Sequence, residues 1–390
     1  MKLGFHYHIP AGVKENKIYV QGFFGVFLDS LAREVEELHL FLHIPLPNEW
    51  ILMDYELSST NILLHDIGMH NSMPLRLLTK GSILKRIEKK VLGLNAFLVR
   101  APSPLSPFFI LKFGGKIPFS MLLVGNYATS VDDPSLPLWK NKIIRLFSYY
   151  IHFYQNKAAG KAKLFVNSKL LFDENIVINR KLKLVQTTTL SKASFYKKSV
   201  VELDWNVIKV LYTGRIDLSK GLLLICEALM NLRKHGIQVE FHLVGWEAFG
   251  AQLVQSEILR YCEKIGFTEY VFFHGKKRIG DELNLAYRAN SLFINASTGT
   301  EGFPRTIWEA MANSLPVIAT AVGSIPYYLT DKENALVIEP RSVVAIENAV
   351  KTLIQDKELR VKLAENAFQL AQSNTLEIQS KNLIEEINKN

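Results

Sequence analysis

The chain has 390 residues, 48% of them hydrophobic and 21% charged, a composition typical of a folded globular protein long enough for two domains. Its two cysteines, Cys226 and Cys262, are too few for a disulfide framework or a zinc site, and they suit a reducing cytoplasm. The net charge of +9 lies wholly in residues 1–190, which hold 23 Lys and Arg against 14 Asp and Glu. This half is expected to face a membrane surface, a nucleic acid or an anionic lipid-linked molecule, unless the charge serves solubility alone.

The sequence shows no recognisable secretion signal and no membrane-spanning stretch. The start, MKLGFHYHIPAG, lacks the apolar core of a signal peptide. No stretch reaches the roughly 18–20 uncharged apolar residues that span a bilayer, because Arg145 and His152 interrupt the most apolar run. We therefore expect a soluble or membrane-peripheral cytoplasmic protein.

Short apolar runs in the first half predict parallel strands that are covered on both faces. They span residues 2–8, 38–44, 61–67, 96–100, 119–124, 162–167 and 184–188. Helical patterns lie between them, and this alternation predicts a doubly wound parallel sheet. Histidines near the strand ends (His6, His8, His65 and His70) lack metal-ligand spacing and are interpreted as hydrogen-bonded structural residues.

The segment QGFFGVFLDSLA follows the first strand, and its Gly22 and Gly25 could let the backbone approach a phosphate. The segment does not match the G-x-G-x-x-G fingerprint, which occurs nowhere in the chain, so a nicotinamide dehydrogenase is disfavoured. The chain also lacks a P-loop and a D-x-D pair that would hold a metal-bound nucleotide sugar.

Residues 80–91, KGSILKRIEKKV, have the pattern of an amphipathic helix with basic flanks. Two interpretations stay open: a helix that lies on an anionic membrane, or an ordinary surface helix whose apolar stripe packs on the core. The candidate membrane-facing residues are Lys85, Arg86, Lys89 and Lys90.

The polar, irregular segment 191–206 separates two sets of strands and helices. We predict an N-terminal domain over 1–195, a C-terminal domain over 196–372, and an amphipathic C-terminal helix over 373–390. Strands of the second domain are predicted at 207–213, 239–244, 271–274, 292–295, 316–319 and 335–338. Two such domains would face each other across a cleft, where ligands bind at the carboxyl ends of the strands.

Three loops of the second half carry the residues expected to bind a ligand. TGRIDLSKG follows the first strand of this half, and Gly214, Arg215 and Lys220 in it suit a diphosphate, although a solvated capping loop is the alternative. After the strand at 271–274, backbone groups of Arg278 and Ile279 could contact a pyrimidine. The exposed basic turn around Arg278 is an equally good interpretation.

The third loop, STGTEGFPRTIWEAMA, is the most informative segment. A small-residue turn after a strand leads into a helix, and Pro304 fits the first helical turn. Free N–H groups and the helix dipole at such a turn favour an anion. The carboxylates of Glu301 and Glu309 suit the hydroxyl groups on either side of a diphosphate, as in a nucleotide sugar.

The order TGRIDLSKG, VEFHLVGWE, VFFHGK and TEGFPRTIWEAMANSLPVIAT closely resembles the retaining GT-B glycosyltransferases of family 4, over about residues 205–365. The resemblance implies an α/β GT-B fold of two doubly wound Rossmann-like domains that face a central cleft. In this fold the N-terminal domain would bind the acceptor, the C-terminal domain would bind the donor, and the C-terminal helix would pack back on the N-terminal domain. It implies that Glu301 lies by the donor sugar, that Glu309 binds the ribose, and that Arg215 and Lys220 hold the diphosphate. It also implies backbone contacts from four residues: Gly302, Phe303, Arg305 and Thr306.

The sequence departs from the family pattern after the strand at 119–124. Many members carry a histidine there, whereas this chain has Gly125, Asn126 and Tyr127. Asn126 is the candidate for the acceptor-side catalytic contact, through its amide or its carbonyl oxygen.

These patterns favour a metal-independent enzyme without a cofactor that transfers a hexose from a UDP-sugar to a lipid-linked or saccharide acceptor of bacterial polysaccharide synthesis. UDP-glucose is the first choice of donor, and no nucleic-acid partner is expected. We place the enzyme at the inner face of the plasma membrane. Two alternatives remain: a nucleotide-sugar epimerase of the same fold, and a non-catalytic protein that binds a nucleotide sugar.

Overall fold

A computed structural model describes residues 1–125, 138–179, 181–197, 205–247, 253–299 and 302–389. The chain divides into two compact units, Met1–Thr187 with Glu377–Asn390, and Thr188–Leu376. This division falls before the predicted boundary at 195. Leu190 is buried in the core of the second unit, and its carbonyl oxygen accepts a hydrogen bond of 2.7 Å from the N–H of Leu376. The residues after 187 are therefore part of the second unit and not a loose linker.

The first unit is built on a seven-stranded parallel sheet in the order β10-β9-β8-β7-β1-β4-β6. Its strands are β1 (Lys2–His6), β4 (Glu37–Ile44), β6 (Ile62–Met69), β7 (Ala96–Ala101), β8 (Phe119–Leu123), β9 (Lys163–Val166) and β10 (Lys183–Leu184). The helices are α1 (Gly22–Ala32), α2 (Met73–Leu92), α3 (Ser106–Phe113), α4 (Leu138–Ala159), α5 (Lys169–Asn175) and α13 (Leu376–Asn388). Six of the seven strands predicted for the first half are present in this sheet, whereas the one predicted at 184–188 shares only Leu184 with β10.

A small antiparallel sheet of β2 (Gly12–Lys14), β3 (Lys17–Val20) and β5 (Tyr55–Glu56) was not predicted. Glu15 and Asn16 join β2 to β3 with φ angles of 52° and 60°. Positive φ at both central residues is the geometry of the tight turn that suits a hairpin. Glu-Asn lacks the glycine that usually signals this turn, so the hairpin could not be predicted from a turn motif.

The second unit holds a six-stranded parallel sheet in the order β13-β12-β11-β14-β15-β16. Its strands are β11 (Ile208–Arg215), β12 (Val239–Trp246), β13 (Val271–Phe273), β14 (Leu292–Asn295), β15 (Val317–Thr320) and β16 (Leu336–Ile338). Its helices are α6 (Leu222–Lys234), α7 (Leu253–Ile265), α8 (Asp281–Arg288), α9 (Arg305–Ala312), α10 (Ile325–Tyr328), α11 (Val343–Gln355) and α12 (Lys357–Gln372).

Apolar residues on both faces of this sheet explain why the strands read as continuous apolar runs. Val210 and Tyr212 point into one core cluster, whereas Leu211 between them belongs to the other. Successive side chains of a strand point to opposite faces, so β11 supplies two cores at once. β12 and β13 lie on one side of β11, and β14, β15 and β16 lie on the other. The strand order therefore reverses between β11 and β14.

Helix α2 settles the interpretation of the basic segment at 80–91. Its stripe of Ile83, Leu84, Ile87 and Val91 is buried in the core of the first unit. The apolar stripe of α2 therefore cannot contact a membrane. The interpretation in which this helix lies on a membrane through that stripe is wrong. Lys85, Arg86, Lys89 and Lys90 lie on the exposed side of the helix.

Helix α13 packs on the first unit, as its ion pairs show. Glu386 pairs with Lys183 at 2.6 Å, and its backbone oxygen accepts a hydrogen bond of 2.6 Å from Nζ of Lys163. The C-terminal residues thus return to the unit in which the chain began.

Candidate functional site

Two loops meet at the carboxyl edge of the second sheet. The backbone oxygen of Ser219, in the loop after β11, accepts bonds of 2.8 Å from the N–H and 3.1 Å from the hydroxyl of Thr298, in the loop after β14. Gly221 tightens the contact: with φ at +70°, a Cβ there would lie 2.2 Å from the carbonyl oxygen of Ala296. The sequence-predicted TGRIDLSKG segment and the start of the STGTEGF segment are therefore held together.

Glycines also control the end of β11. Gly214, at φ +140°, pairs with Gly245 of β12, and a Cβ on Gly245 would lie only 1.7 Å from the carbonyl oxygen of Gly214. The close approach requires glycine at position 245, and the φ of +140° favours glycine at position 214. The effect of Gly214 is to shape the strand end so that Arg215 emerges, exposed, at the edge of the sheet.

The cations predicted to hold a diphosphate lie beside an acidic residue. A guanidinium nitrogen of Arg215 lies 3.1 Å from a carboxylate oxygen of Asp217, whose other oxygen accepts bonds from the N–H and hydroxyl of Ser219. Partial burial raises the pKa of Asp217, but the hydrogen bonds from Ser219 and the charges of Arg215 and Lys220 outweigh it, so the pKa is lowered overall. Asp217 is thus an anion that holds the loop and orients Arg215. Exposed ion pairs of this kind contribute little stability, so an incoming phosphate can compete with Asp217 for Arg215.

Helix α9 begins at the same edge of the sheet. Pro304 is its N-cap residue, with Arg305 and Thr306 in the first turn, where the N–H groups point out of the helix end. The side chain of Phe303 packs on Trp308 and Tyr328, with ring centroids 4.4 and 4.9 Å away, and so anchors the segment before the helix. Gly302 is exposed next to it. This arrangement gives an anion a helix N-terminus on a rigid support.

Glu309 is buried, and hydroxyl groups of the protein hold its carboxylate. Tyr287 donates to one oxygen at 2.8 Å, and Thr189 donates to the other. The Tyr287 hydroxyl also bonds Thr213 at 2.6 Å. Burial, and then the charge of Glu309, raise the pKa of Tyr287 well above its ordinary value, so it stays a neutral donor.

Sequence reasoning missed all three of these hydroxyl residues. Tyr287 lies in the last turn of α8, Thr213 opens the TGRIDLSKG segment within β11, and Thr189 lies in the segment that had been assigned to the first domain. No local motif marks their role as partners of the buried carboxylate, since only the tertiary fold brings them together around Glu309. A ribose at Glu309 would have to share the carboxylate with them.

Two predicted catalytic residues fall outside the described residues. These are Glu301, which precedes α9 in the sequence, and Asn126, which follows β8. The described residues on either side of Glu301, Gly299 and Gly302, belong to the loop that meets Ser219 and to the start of the α9 segment.

The backbone groups of Arg278, predicted to contact a pyrimidine, form hydrogen bonds within the protein. The N–H of Arg278 donates to the carboxylate of Glu282 at 3.2 Å, and its carbonyl oxygen accepts from Leu283. The side chain also pairs with Glu282 at 3.1 Å. Both backbone groups of Arg278 are therefore bonded to residues at the start of α8. The backbone of Ile279, the other predicted contact, takes no part in these bonds.

Gly22 and Gly25 serve packing and capping in the first unit. The N–H of Gly22 donates to Asp54 at 2.8 Å at the start of α1. A Cβ on Gly25 would lie 2.2 Å from the ring of Tyr55, so the glycine makes room for an aromatic side chain. This contact is a packing reason for Gly25 that does not involve a phosphate.

The histidines at the strand ends of the first unit are hydrogen-bonded and neutral. His6 is fully buried between the carbonyl oxygen of Phe41 and the hydroxyl of Ser103, and burial lowers its pKa to about 3. His8 bonds the carbonyl oxygen of Pro102, and burial likewise lowers its pKa to about 3. Across the ranges that the structure describes, no group of three or more His, Cys, Asp or Glu residues has the arrangement of a metal site.

Two Rossmann-like units, each with a parallel sheet, constitute the GT-B fold, and solved structures agree over the full chain. A crystal structure of Anabaena Alr3699/HepE in complex with UDP-glucose superposes with a TM-score of 0.72 at 18% identity, over 99% of this chain and 98% of that one. WaaG, a glycosyltransferase involved in lipopolysaccharide biosynthesis, gives a TM-score of 0.70 at 13% identity over 100% of both chains. The predicted fold class is thereby confirmed.

Residues 197–370 match the family model described as Glycosyl transferases group 1. D-inositol 3-phosphate glycosyltransferase of Corynebacterium glutamicum (strain R) is 26% identical over 166 residues, 42% of this chain and 39% of that protein. Lipopolysaccharide 1,2-N-acetylglucosaminetransferase of Salmonella typhimurium is 29% identical over 167 residues, 41% of this chain and 42% of that protein. The chain thus aligns with about two fifths of the length of these relatives, and the matched family segment lies in the second unit.

Proposed function

We propose that the protein is a retaining, metal-independent glycosyltransferase that moves a hexose from a UDP-sugar, with UDP-glucose as the first choice, to a lipid-linked or saccharide acceptor in bacterial polysaccharide synthesis. The observation that carries this proposal is the joining of the β11 and β14 loops through Ser219 and Thr298 at one sheet edge. The cations of one loop and the helix N-terminus of the other can then serve one diphosphate.

The proposed chemistry follows from where charge develops. Breaking the bond between sugar and phosphate leaves negative charge on the nucleoside diphosphate and positive charge on the sugar ring. Arg215, Lys220 and the N-terminus of α9 would stabilise the diphosphate, which is why the proposal assigns no role to a metal. Loss of one such group is expected to lower the rate by about 10²–10³. The acceptor hydroxyl would attack from the face that the diphosphate leaves, and a phosphate oxygen of the leaving group would take its proton.

Glu301 and Glu309 would bind the two ends of the donor, the hexose and the ribose. Glu309 is suited to its part because its carboxylate is already fixed by Tyr287 and Thr189, so a ribose hydroxyl would meet an oriented acceptor. Structural neighbours with bound UDP and UDP-glucose support the choice of base and sugar. Relatives that act on lipopolysaccharide support an acceptor in the cell envelope.

The acceptor side of the proposal depends on the first unit. Its excess of basic residues suits an anionic, lipid-linked acceptor and a place at the inner face of the plasma membrane. Asn126 is proposed for the contact with the acceptor hydroxyl. Within the described residues, no helix is both long and apolar enough to cross a bilayer.

Replacement of Glu301 is the direct test. We expect Glu301→Ala to abolish release of UDP from UDP-glucose in the presence of a bacterial membrane-lipid extract, because the donor sugar loses its carboxylate partner. Glu358→Ala is the matched control, since Glu358 is an exposed carboxylate on α12, in the same unit. Melting curves of both variants check that the fold is retained.

Two outcomes would overturn the proposal. Full activity of Glu301→Ala would remove the residue from the site. Conversion of the donor sugar by the wild-type protein alone, seen by NMR without acceptor, would identify an epimerase instead.

A further inference from the structure

Helix α4 carries a row of large apolar side chains on its outer side. Trp139, Leu146 and Phe153 are 60%, 69% and 64% exposed. Ile143, Tyr149 and Tyr150 are exposed along the same helix. We call these six residues the α4 stripe. Large apolar side chains in such a contiguous, solvent-facing row mark an interaction surface.

Helical geometry shows that the stripe is one surface and not a scatter of single residues. Positions 139, 143, 146, 150 and 153 follow the three- and four-residue spacing of one helix face. From Trp139 to Phe153 this face is about 21 Å long, at 1.5 Å per residue. The opposite side of α4, with Ser148, Ile151 and Gln155, is buried against the first unit. The core therefore occupies one side of the helix, and among the residues that the structure describes none covers the stripe.

The charge of α4 identifies what can cover the stripe. The segment LWKNKIIRLFSYYIHFYQNKAA contains Lys140, Lys142, Arg145 and Lys157, all exposed, and no Asp or Glu. A helix whose exposed apolar and aromatic residues are accompanied by basic and no acidic residues is complementary to an anionic bilayer surface, where aromatic rings lie at headgroup level.

We propose that the α4 stripe docks the protein on anionic phospholipid, with α4 parallel to the bilayer plane and its apolar residues among the acyl chains. This deepens the membrane part of the proposed function, and it does not depend on transfer chemistry. The lipid surface is favoured over a second copy of the chain, because a two-fold interface would bring this patch against itself and oppose lysine to lysine.

Co-sedimentation of the full-length protein with vesicles tests this surface. We expect the wild type to bind vesicles of phosphatidylcholine mixed with phosphatidylglycerol and to bind pure phosphatidylcholine weakly. Leu146→Ser combined with Phe153→Ser should lower the partition coefficient by about tenfold or more, since two apolar side chains no longer leave water. Lys140→Ser with Lys142→Ser should weaken binding at low salt and have less effect at high salt.

Two control pairs separate this effect from general changes of the surface. Leu253→Ser with Val344→Ser alters side chains that are 67% and 62% exposed on the second unit, and should bind vesicles as the wild type does. Lys85→Ser with Arg86→Ser alters the basic side of α2 and should have a smaller effect than the α4 lysine pair. Stabilisation by UDP, measured in a melting curve, should be the same in the stripe variant as in the wild type.

Three outcomes would overturn the docking proposal. The wild type fails to bind the anionic vesicles, or the stripe variant binds them unchanged. Alternatively, sedimentation shows a dimer that the stripe variant abolishes, in which case a second copy covers the stripe. Failure of donor turnover with intact vesicle binding would count against the transferase proposal and leave the docking surface standing.

Discussion

At the scale of single residues, the buried carboxylate of Glu309 shows how far spacing can predict a site. Its position one turn into a helix that follows a glycine turn could be seen in the sequence. Its partners Tyr287 and Thr189 could not, because they come from other parts of the chain. A buried carboxylate must have hydrogen-bond donors, but sequence does not say which residues supply them.

Tyr287→Phe tests the energetic importance of this arrangement. The change removes the 2.8 Å bond to Glu309 and leaves a buried carboxylate one donor short. We expect a loss of about 1.5–3 kcal/mol in the free energy of unfolding, the usual contribution of a hydrogen bond to a charged group. Urea unfolding of the purified protein measures it.

Tyr261→Phe is the control for this experiment. Tyr261 also donates to a carboxylate, that of Glu227 at 2.8 Å, but both residues are only half-buried. Because water can replace the lost hydroxyl there, the cost should stay below about 1 kcal/mol. Equal losses in the two variants would show that the Glu309 carboxylate is not specially dependent on Tyr287.

At the scale of elements, the parallel strands were predictable and the loops between them only in part. β14, for example, is a short run of buried residues. A parallel strand that is buried on both faces reads as a continuous apolar run, so such runs predict the strands. The hairpin of β2 and β3 was missed because its turn, Glu15-Asn16, adopts positive φ without a glycine. The contact between Ser219 and Thr298 depends on strand order, which periodicity does not give.

Gly221→Ala tests whether the meeting of the β11 and β14 loops needs close packing. The added Cβ would lie 2.2 Å from the carbonyl oxygen of Ala296, and φ at +70° disfavours alanine in addition. Gly236→Ala, at the other end of α6, has φ at +81° and nothing within 4 Å of the added atom.

The two variants share the strained φ and differ in the clash. Gly236→Ala should lose about 1–2 kcal/mol of unfolding free energy. Gly221→Ala should lose about 1–3 kcal/mol more, because the loops must move apart. Chemical unfolding compares them, and equal losses would show that the approach of Gly221 to Ala296 is not tight in solution.

At the scale of the whole molecule, the chain folds as two units with separate cores, and the charge follows this division. The excess of basic residues lies in the half that forms most of the first unit, together with the exposed α4 stripe. The sheet edge with Arg215, Lys220 and the N-terminus of α9 lies in the second unit, which also holds the segment that matches the glycosyltransferase family model. The asymmetry of charge could be predicted from the sequence. The exposure of particular apolar residues could not, because it depends on how the helices pack.

A nucleoside diphosphate is expected to bind at the sheet edge where the β11 and β14 loops meet and α9 begins. Isothermal titration of UDP into the full-length protein tests it, with the variant Arg215→Ala/Lys220→Ala and the control Lys234→Ala, at the far end of α6. We expect the wild type and the control to bind UDP. The affinity of the double variant for UDP should be lower by about tenfold or more, because two charge-assisted contacts to phosphate are lost. Equal affinity in all three proteins, or no binding of UDP by the wild type, would contradict it.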